Sequence, residues 1–255
     1  MVYPLNFISQ HDLEKHIRET ILNYSKSLNS MDLKKFTSNI IDPIKMLFDS
    51  CVFNKNLEVI IESEIIRQKD KTNNNLIGYF HQNLFKYINS NNWIVSEKGF
   101  DIINYKKKIF VELKNKHNTM NSSSSQKTFI NMQNKIMNDP EATCILVEII
   151  AKKSQNIPWK INLDKNQVSS PKIRRMSVDR FYEIITGDKM SFYNLCNFLP
   201  IIIKKVINDM PEFKSNSKDT VLEELKNINS KTLLDALFKL SFKSYYGWNK
   251  NENNN

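Results

Sequence analysis

Cysteine is scarce and scattered. The chain has three, Cys51, Cys144 and Cys196, with no CxxC or Cys/His spacing among them, which excludes the zinc sites and disulfide frameworks that such spacings announce. A reducing cytoplasm fits that usage. No apolar run approaches the roughly 20 residues that a bilayer-spanning helix requires. Residues 1–7, MVYPLNF, lack the charged and then apolar stretches of a secretory leader, so a cytoplasmic protein without membrane association is expected. No internal repeat recurs and no linker composition divides the chain, which points to one α/β domain with helical extensions.

Positive charge, by contrast, is in excess. Thirty-seven Lys and Arg stand against 27 Asp and Glu, for a net charge of +10 and a pI near 9.3. A polyanionic partner is favoured, and nucleic acid is the commonest one; a merely solvated basic surface is the alternative. With 40% hydrophobic and 25% charged residues the chain has the composition of a folded protein, not a disordered one.

Apolar spacing orders the elements. Leu13, Ile17, Ile21 and Tyr24, then Ile40, Ile44, Leu47 and Phe48, recur at helical intervals and predict two or three helices between residues 12 and 53. An amphipathic helix over 57–67 is expected to end in the polar stretch 69–75, with another helix over 78–89. Residues 93–104 and 109–114 are rich in β-formers and are separated by the polar YKKK of 105–108, which predicts a hairpin or meander. After a Ser/Asn-rich loop, a helix is expected over 126–137 and a buried strand over 143–151. The expected regions are a helical N-terminal part (1–56), a core (57–160), a mainly helical C-terminal part (161–250) with helices over 178–186, 191–209 and 220–242, and a disordered tail (251–255).

Within the core, Asp101 lies on one β segment, and Glu112 and Lys114 lie two apart on the next, hence on one face of the strand. A hairpin through 105–108 brings Asp101 beside Glu112. Two apposed carboxylates repel and lose hydration, and a hard cation such as Mg²⁺ relieves both costs, with the backbone carbonyl of Leu113 as a further oxygen. A cation there polarises a phosphate and acidifies a water, which Lys114 positions; whether the lysine also abstracts the proton stays open. Glu-x-Lys on a strand also occurs as a cross-strand ion pair on a solvated face.

This arrangement of strand Asp, hairpin, strand Glu-x-Lys, helix and buried strand resembles the PD-(D/E)XK nuclease superfamily, with Phe100 in place of the usual proline before the aspartate. GYFHQN at 78–83, Gly99-Phe100-Asp101 and ELKNKHNTMNSSS at 112–124 together look like the restriction endonucleases that cut GGNCC. The resemblance implies a restriction-endonuclease-like α/β core, a mixed central sheet flanked by helices. It also implies Mg²⁺-dependent hydrolysis of double-stranded DNA at a short symmetric site, leaving 5′-phosphate ends. A homodimer built through the helical N- and C-terminal segments and a cognate DNA methyltransferase are further expectations. Another nuclease of the superfamily, for repair or junction resolution, and a non-catalytic DNA-binding protein are the alternatives.

The superfamily often places an amide or acidic side chain on the preceding helix, near the metal's waters. Gln82 takes that role here and Glu64 is the acidic alternative, while His81 reads as a packing histidine. From 115 to 127 nearly every side chain can hydrogen-bond. Lys116 and Lys127 suit phosphates; Asn118, Asn121 and Gln126 have the donor and acceptor pairs that base edges require; His117, Ser122 and Ser123 complete the expected DNA-binding loop. Arg174 and Arg175, following a Ser-Ser-Pro turn and expected near a helix start, suit guanine edges or phosphates.

Overall fold

The computed structural model describes residues 3–28, 31–88, 92–163, 165–210, 219–228 and 231–242. Its elements are α1 (Gln10–Leu28), α2 (Leu33–Ser38), α3 (Pro43–Val52), α4 (Leu57–Leu84), β1 (Ile94–Val95), β2 (Ile102–Asn104), β3 (Ile109–Lys116), α5 (Ser122–Asn138), β4 (Thr143–Ile150), β5 (Asn156–Leu163), β6 (Asn166–Ser177), α6 (Val178–Thr186), α7 (Ser191–Asn208), α8 (Val221–Asn227) and α9 (Leu233–Ser241). They fall into two compact units, Met1–Leu22 with Leu76–Glu212, and Asn23–Asn75 with Phe213–Asn255.

The first unit carries the sheet, in the order β1-β2-β3-β4-β6-β5. Strands β1, β2 and β3 form the expected antiparallel meander. Its tight turn is made by the buried Asn104, whose Oδ1 accepts from the Lys107 N–H at 2.9 Å, and by Lys108 at φ 51°. β3, β4 and β6 are parallel, and β5 returns antiparallel on β6. Two parallel neighbours need a crossover, and α5 supplies it between β3 and β4. The sheet is mixed and flanked by helices, the α/β class expected.

Alternation along the strands sorts the side chains. On one face Ile103, Phe110, Cys144, Leu146 and Ile173 meet Phe129 and Met132 of α5 in a closed apolar cluster. On the other, Ile102, Val111, Leu113, Ile145 and Val147 are likewise buried. α6 packs against β4 and β6, bringing Phe181 and Tyr182 onto Phe85.

The second unit is helical. Phe36, Met46, Ile60, Ile61 and Ile65 from α2, α3 and the first part of α4 pack with Val221, Leu225, Ala236 and Leu237 from α8 and α9. Asp219 ties its segments by accepting from the Met31 N–H at 2.7 Å and from Lys69 Nζ at 2.8 Å.

Four expectations are corrected. Residues 161–163 and 165–177 are not helical: they belong to a long β5/β6 hairpin at one edge of the sheet, whose described residues are exposed or half-buried from Asn156 to Lys172 except at Trp159. α4 runs unbroken through 69–75, because that stretch holds no Pro or Gly and its side chains bond within the helix, as Thr72 to the Gln68 carbonyl and Asn74 to Asp70. Residues 220–242 form two helices with a break after Asn227. α5 starts at Ser122, four residues before the expected start, because Asn121 caps it. The tail at 251–255 lies outside the described residues. Among the described residues no helix is long and apolar enough to cross a membrane.

Candidate active site

The β2/β3 register pairs Ile102 with Val111, so Asp101, one residue before, comes opposite Glu112, one residue beyond. There the hairpin is closed by a side chain instead of a backbone pair: Asp101 Oδ2 accepts from the Leu113 N–H at 2.7 Å. Burial pushes the Asp101 carboxyl above the usual aspartate range. The Leu113 N–H opposes that shift, the Glu112 charge adds to it and Lys114 opposes it. On β3, Lys114 Nζ donates to Glu112 Oε1 at 2.6 Å. The spacing of two therefore does bring both side chains to one place.

The face they share changes character along its length. Phe110 on β3, Cys144 on β4 and Ile173 on β6 lie level with each other and are buried under α5. Two residues further on, β3 and β6 turn polar on that face with Glu112 and Arg175 while β4 still presents Leu146, and after two more residues β3 and β4 present Lys114 and Glu148. These positions lie toward the carboxyl ends of three parallel strands, where open α/β sheets bind ligands. Glu148 was not anticipated. Its side chain is 1% exposed, and its Oε1 accepts from Arg175 Nε at 2.9 Å and Nη2 at 2.5 Å. The signal was present in TCILVEII (143–150), where one acid interrupts a run apolar enough to be wholly buried.

Beside Glu112 a groove of about 520 Å³ runs between Gly99 and Phe100 on one side and α5 on the other. Lys127, Asn131, Asn134, Lys135 and Asn138 line it, a polar stripe at intervals of three and four that follows one helix face. Only Lys127 of these was anticipated. The period of Asn and Lys over 127–138 is the signal that could have shown the stripe, since the expected helix over 126–137 already holds all of it but Asn138.

Gln82, in the last turn of α4, donates through Nε2 to the Ser96 carbonyl at 3.5 Å, and the Ser96 N–H in turn donates to the Asp101 carbonyl at 3.0 Å. It thus sits against the backbone that carries Asp101. Glu64 belongs to the other unit and is engaged by Arg67 and Gln68. His81 is packed against Phe80, and burial, with the His16 charge adding to it, lowers its pKa to about 4.

The expected loop after β3 is short. Lys116 is the last residue of the strand, 117–120 turn, and Asn121 spends its side chain on the Ser124 N–H as the cap of α5. Lys116 and Asn118 are exposed, and so are Ser122 and Ser123 in the first turn of α5. Gln126 donates to the Asn162 carbonyl at 2.9 Å, and His117 gives its own carbonyl to Arg175 Nη2 at 3.1 Å. The arginines are on β6, not at a helix start, because Ser169, Ser170 and Pro171 belong to an irregular stretch of that strand and make no turn into a helix. Adjacent on a strand, the two point to opposite faces. Arg174 is held by Asn156 at the β5 edge, through Nε at 2.5 Å and Nη2 at 2.6 Å, while Arg175 lies on the face of Glu112 and Lys114.

Among the described residues no three His, Cys, Asp or Glu side chains converge to hold a metal. The donor set here is two carboxylates with backbone. Asp101 Oδ1 and Glu112 Oε2 are left over from the hydrogen bonds just described. The Leu113 carbonyl leaves the strand on the same side as its N–H, toward Asp101. Three oxygens of this kind suit a hard divalent cation that keeps part of its water shell.

Comparison with known proteins gives three matches. The model of the Eco47II restriction endonuclease family matches residues 5–208. The chain is 30% identical over 253 residues to the type II restriction enzyme Sau96I of Staphylococcus aureus, covering 95% of this chain and 97% of that one. It is 29% identical over 216 residues to the type II restriction enzyme Eco47II of Escherichia coli, covering 80% and 89%.

Proposed function

The chain belongs to the Eco47II restriction endonuclease family, and on that premise we propose that Asp101, Glu112 and Lys114 hydrolyse phosphodiester bonds of double-stranded DNA with Mg²⁺ at a short symmetric site. Membership makes the protein a type II restriction enzyme, a site-specific deoxyribonuclease. The observation that carries the residue assignment is the apposition of Asp101 and Glu112 across the hairpin, with Lys114 bonded to Glu112 on the same face.

Asp101, Glu112 and the Leu113 carbonyl would hold the cation. When bound, Mg²⁺ supplies positive charge to the phosphoryl oxygens and lowers the pKa of the attacking water. The Leu113 N–H fixes the Asp101 carboxylate, so that oxygen need not reorganise as substrate arrives. Lys114, shared between Glu112 and the entering phosphate, orients the water for in-line attack and stabilises the charge that develops. Gln82 steadies the Asp101 segment through Ser96.

GGNCC is the target we assign, on the strength of the polar string from Asn115 onward. Lys116, His117, Asn118, Asn121, Ser122, Ser123, Gln126 and Lys127 border the DNA in this reading, as do Arg174 and Arg175. Cleavage leaves 5′-phosphate ends. The whole chain acts as one nuclease in the cytoplasm, as a homodimer whose twofold axis matches that of the site, beside a methyltransferase that protects host DNA. Digestion of a plasmid with Mg²⁺, followed by sequencing of the fragment ends, tests the assignment. Discrete fragments ending within GGNCC, suppressed by EDTA, are expected; a different motif at the ends overturns the target, and a smear or intact plasmid overturns the restriction reading.

A further inference from the structure

Glu148 is a buried charge that the mechanism above does not use. Its Oε1 takes two N–H groups of Arg175, whereas its Oε2 is buried without a hydrogen-bond partner. A carboxylate in that position is costly unless its cation stays with it. The cation is held from a second side as well, because Arg175 Nη2 also donates to the His117 carbonyl. Nε and Nη2 are thereby occupied. The Arg175 side chain is 28% exposed, and Nη1 carries the two donors still available to a ligand.

The place of that free end is fixed by register. Glu112 pairs with Leu146 and Leu146 with Arg175, so Arg175 is level with Glu112 on the same face, two strand spacings or about 10 Å away. Leu146 lies between them in that row, and Lys114 pairs with Glu148 in the next row on the same face. From Glu112 outward the face therefore reads carboxylate, ammonium, buried carboxylate, guanidinium. A guanidinium pinned at two of its three nitrogens to the sheet has no freedom to follow base edges into a groove, but presents a fixed donor pair suited to a phosphate.

We propose that Arg175 binds a backbone phosphate flanking the scissile one, and that Glu148 is the positioning residue that holds its guanidinium in place. This rests on the endonuclease reading and assigns to Arg175 a phosphate instead of a base. Its partner is the sugar-phosphate backbone of the substrate duplex.

The test is equilibrium binding of the full-length protein, with Ca²⁺ replacing Mg²⁺, to a duplex carrying the site defined by wild-type fragment ends and to one lacking it, across a salt series. Arg175→Ala is expected to lower the slope of log K against log salt by about one and to weaken both duplexes by the same factor. Glu148→Gln and Glu148→Asp are expected to lose part of the same slope, and Glu148→Gln to add nothing in the Arg175→Ala background. An unchanged slope in Arg175→Ala, or fragment ends that move to new sequences, overturns the phosphate contact. Additive effects of the two substitutions, or a wild-type slope in Glu148→Asp, overturn the positioning role; the aspartate keeps the buried charge should the glutamine variant fail to fold. Wild-type protein that yields no discrete fragments sinks the restriction reading itself, whereas discrete wild-type cleavage with an indifferent Arg175→Ala sinks this inference alone.

Discussion

Asp101 does two things at once: it closes the hairpin by accepting the Leu113 N–H, and it offers its other oxygen beside Glu112. Asp101→Asn separates them, since the amide oxygen still accepts the N–H while the negative charge is gone. Folding is expected to persist and the Mg²⁺ concentration for half-maximal cleavage to rise at least about 100-fold, more than loss of an outer-shell partner costs; a metal titration of initial rates reads this. His81 makes a different prediction. Its pKa is about 4 in the folded chain against about 6.5 unfolded. Above the unfolded value both states are neutral and the folded state has its full stability. As pH falls through that value the unfolded chain takes the proton first, and about 2 kcal/mol is lost by pH 5. His81→Gln is expected to shrink the difference in unfolding free energy between about pH 7.5 and pH 5, measured by denaturant titration.

Elements were readable where one period dominates. β3 has two-residue alternation and a punctuating turn before it, and β4 is apolar but for Thr143 and Glu148, so the meander and the strand after it were visible. The triad followed, because Glu112 and Lys114 need only that alternation to share a face. α5 was misplaced at its start because Ser and Asn are weak helix formers in the interior yet good caps, and composition does not distinguish the two uses. β5 and β6 were missed because their polar positions hide a solvent-facing sheet edge, and with them went the correct setting of Arg174 and Arg175. Glu148 has no legible partner in the sequence for a related reason: Arg175 comes from β6, whose strand pattern is hidden in the same way. Two measurements bear on α5. Asn121→Ala removes the bond to the Ser124 N–H and is expected to cost about 1 kcal/mol in chemical denaturation. Lys127→Ala, in the groove beside Glu112, is expected to reduce the salt slope of DNA binding by about one without moving the fragment ends.

The whole molecule is organised in a way that composition could not announce. Both early boundaries between its compact units, after Leu22 and after Asn75, fall inside continuous helices, where helical periodicity gives no sign of a division. The family match reaches residue 208, the end of α7, so it takes in the sheet and every residue assigned to chemistry. The net charge of +10 suits the DNA partner that membership of a restriction family implies, and the site's own charges, two acids and a lysine, suit a cation as well as a phosphate. In the proposed mechanism Asp101, Glu112 and Lys114 together cut DNA. Single-turnover cleavage of plasmid in Mg²⁺ by wild type and by Lys114→Ala, with duplex binding measured alongside, tests it most directly. Discrete fragments from the wild type and a fall of about 10²–10⁴-fold in rate with binding retained are predicted; a Lys114→Ala enzyme cutting at the wild-type rate would rule out a role for Lys114 in cleavage.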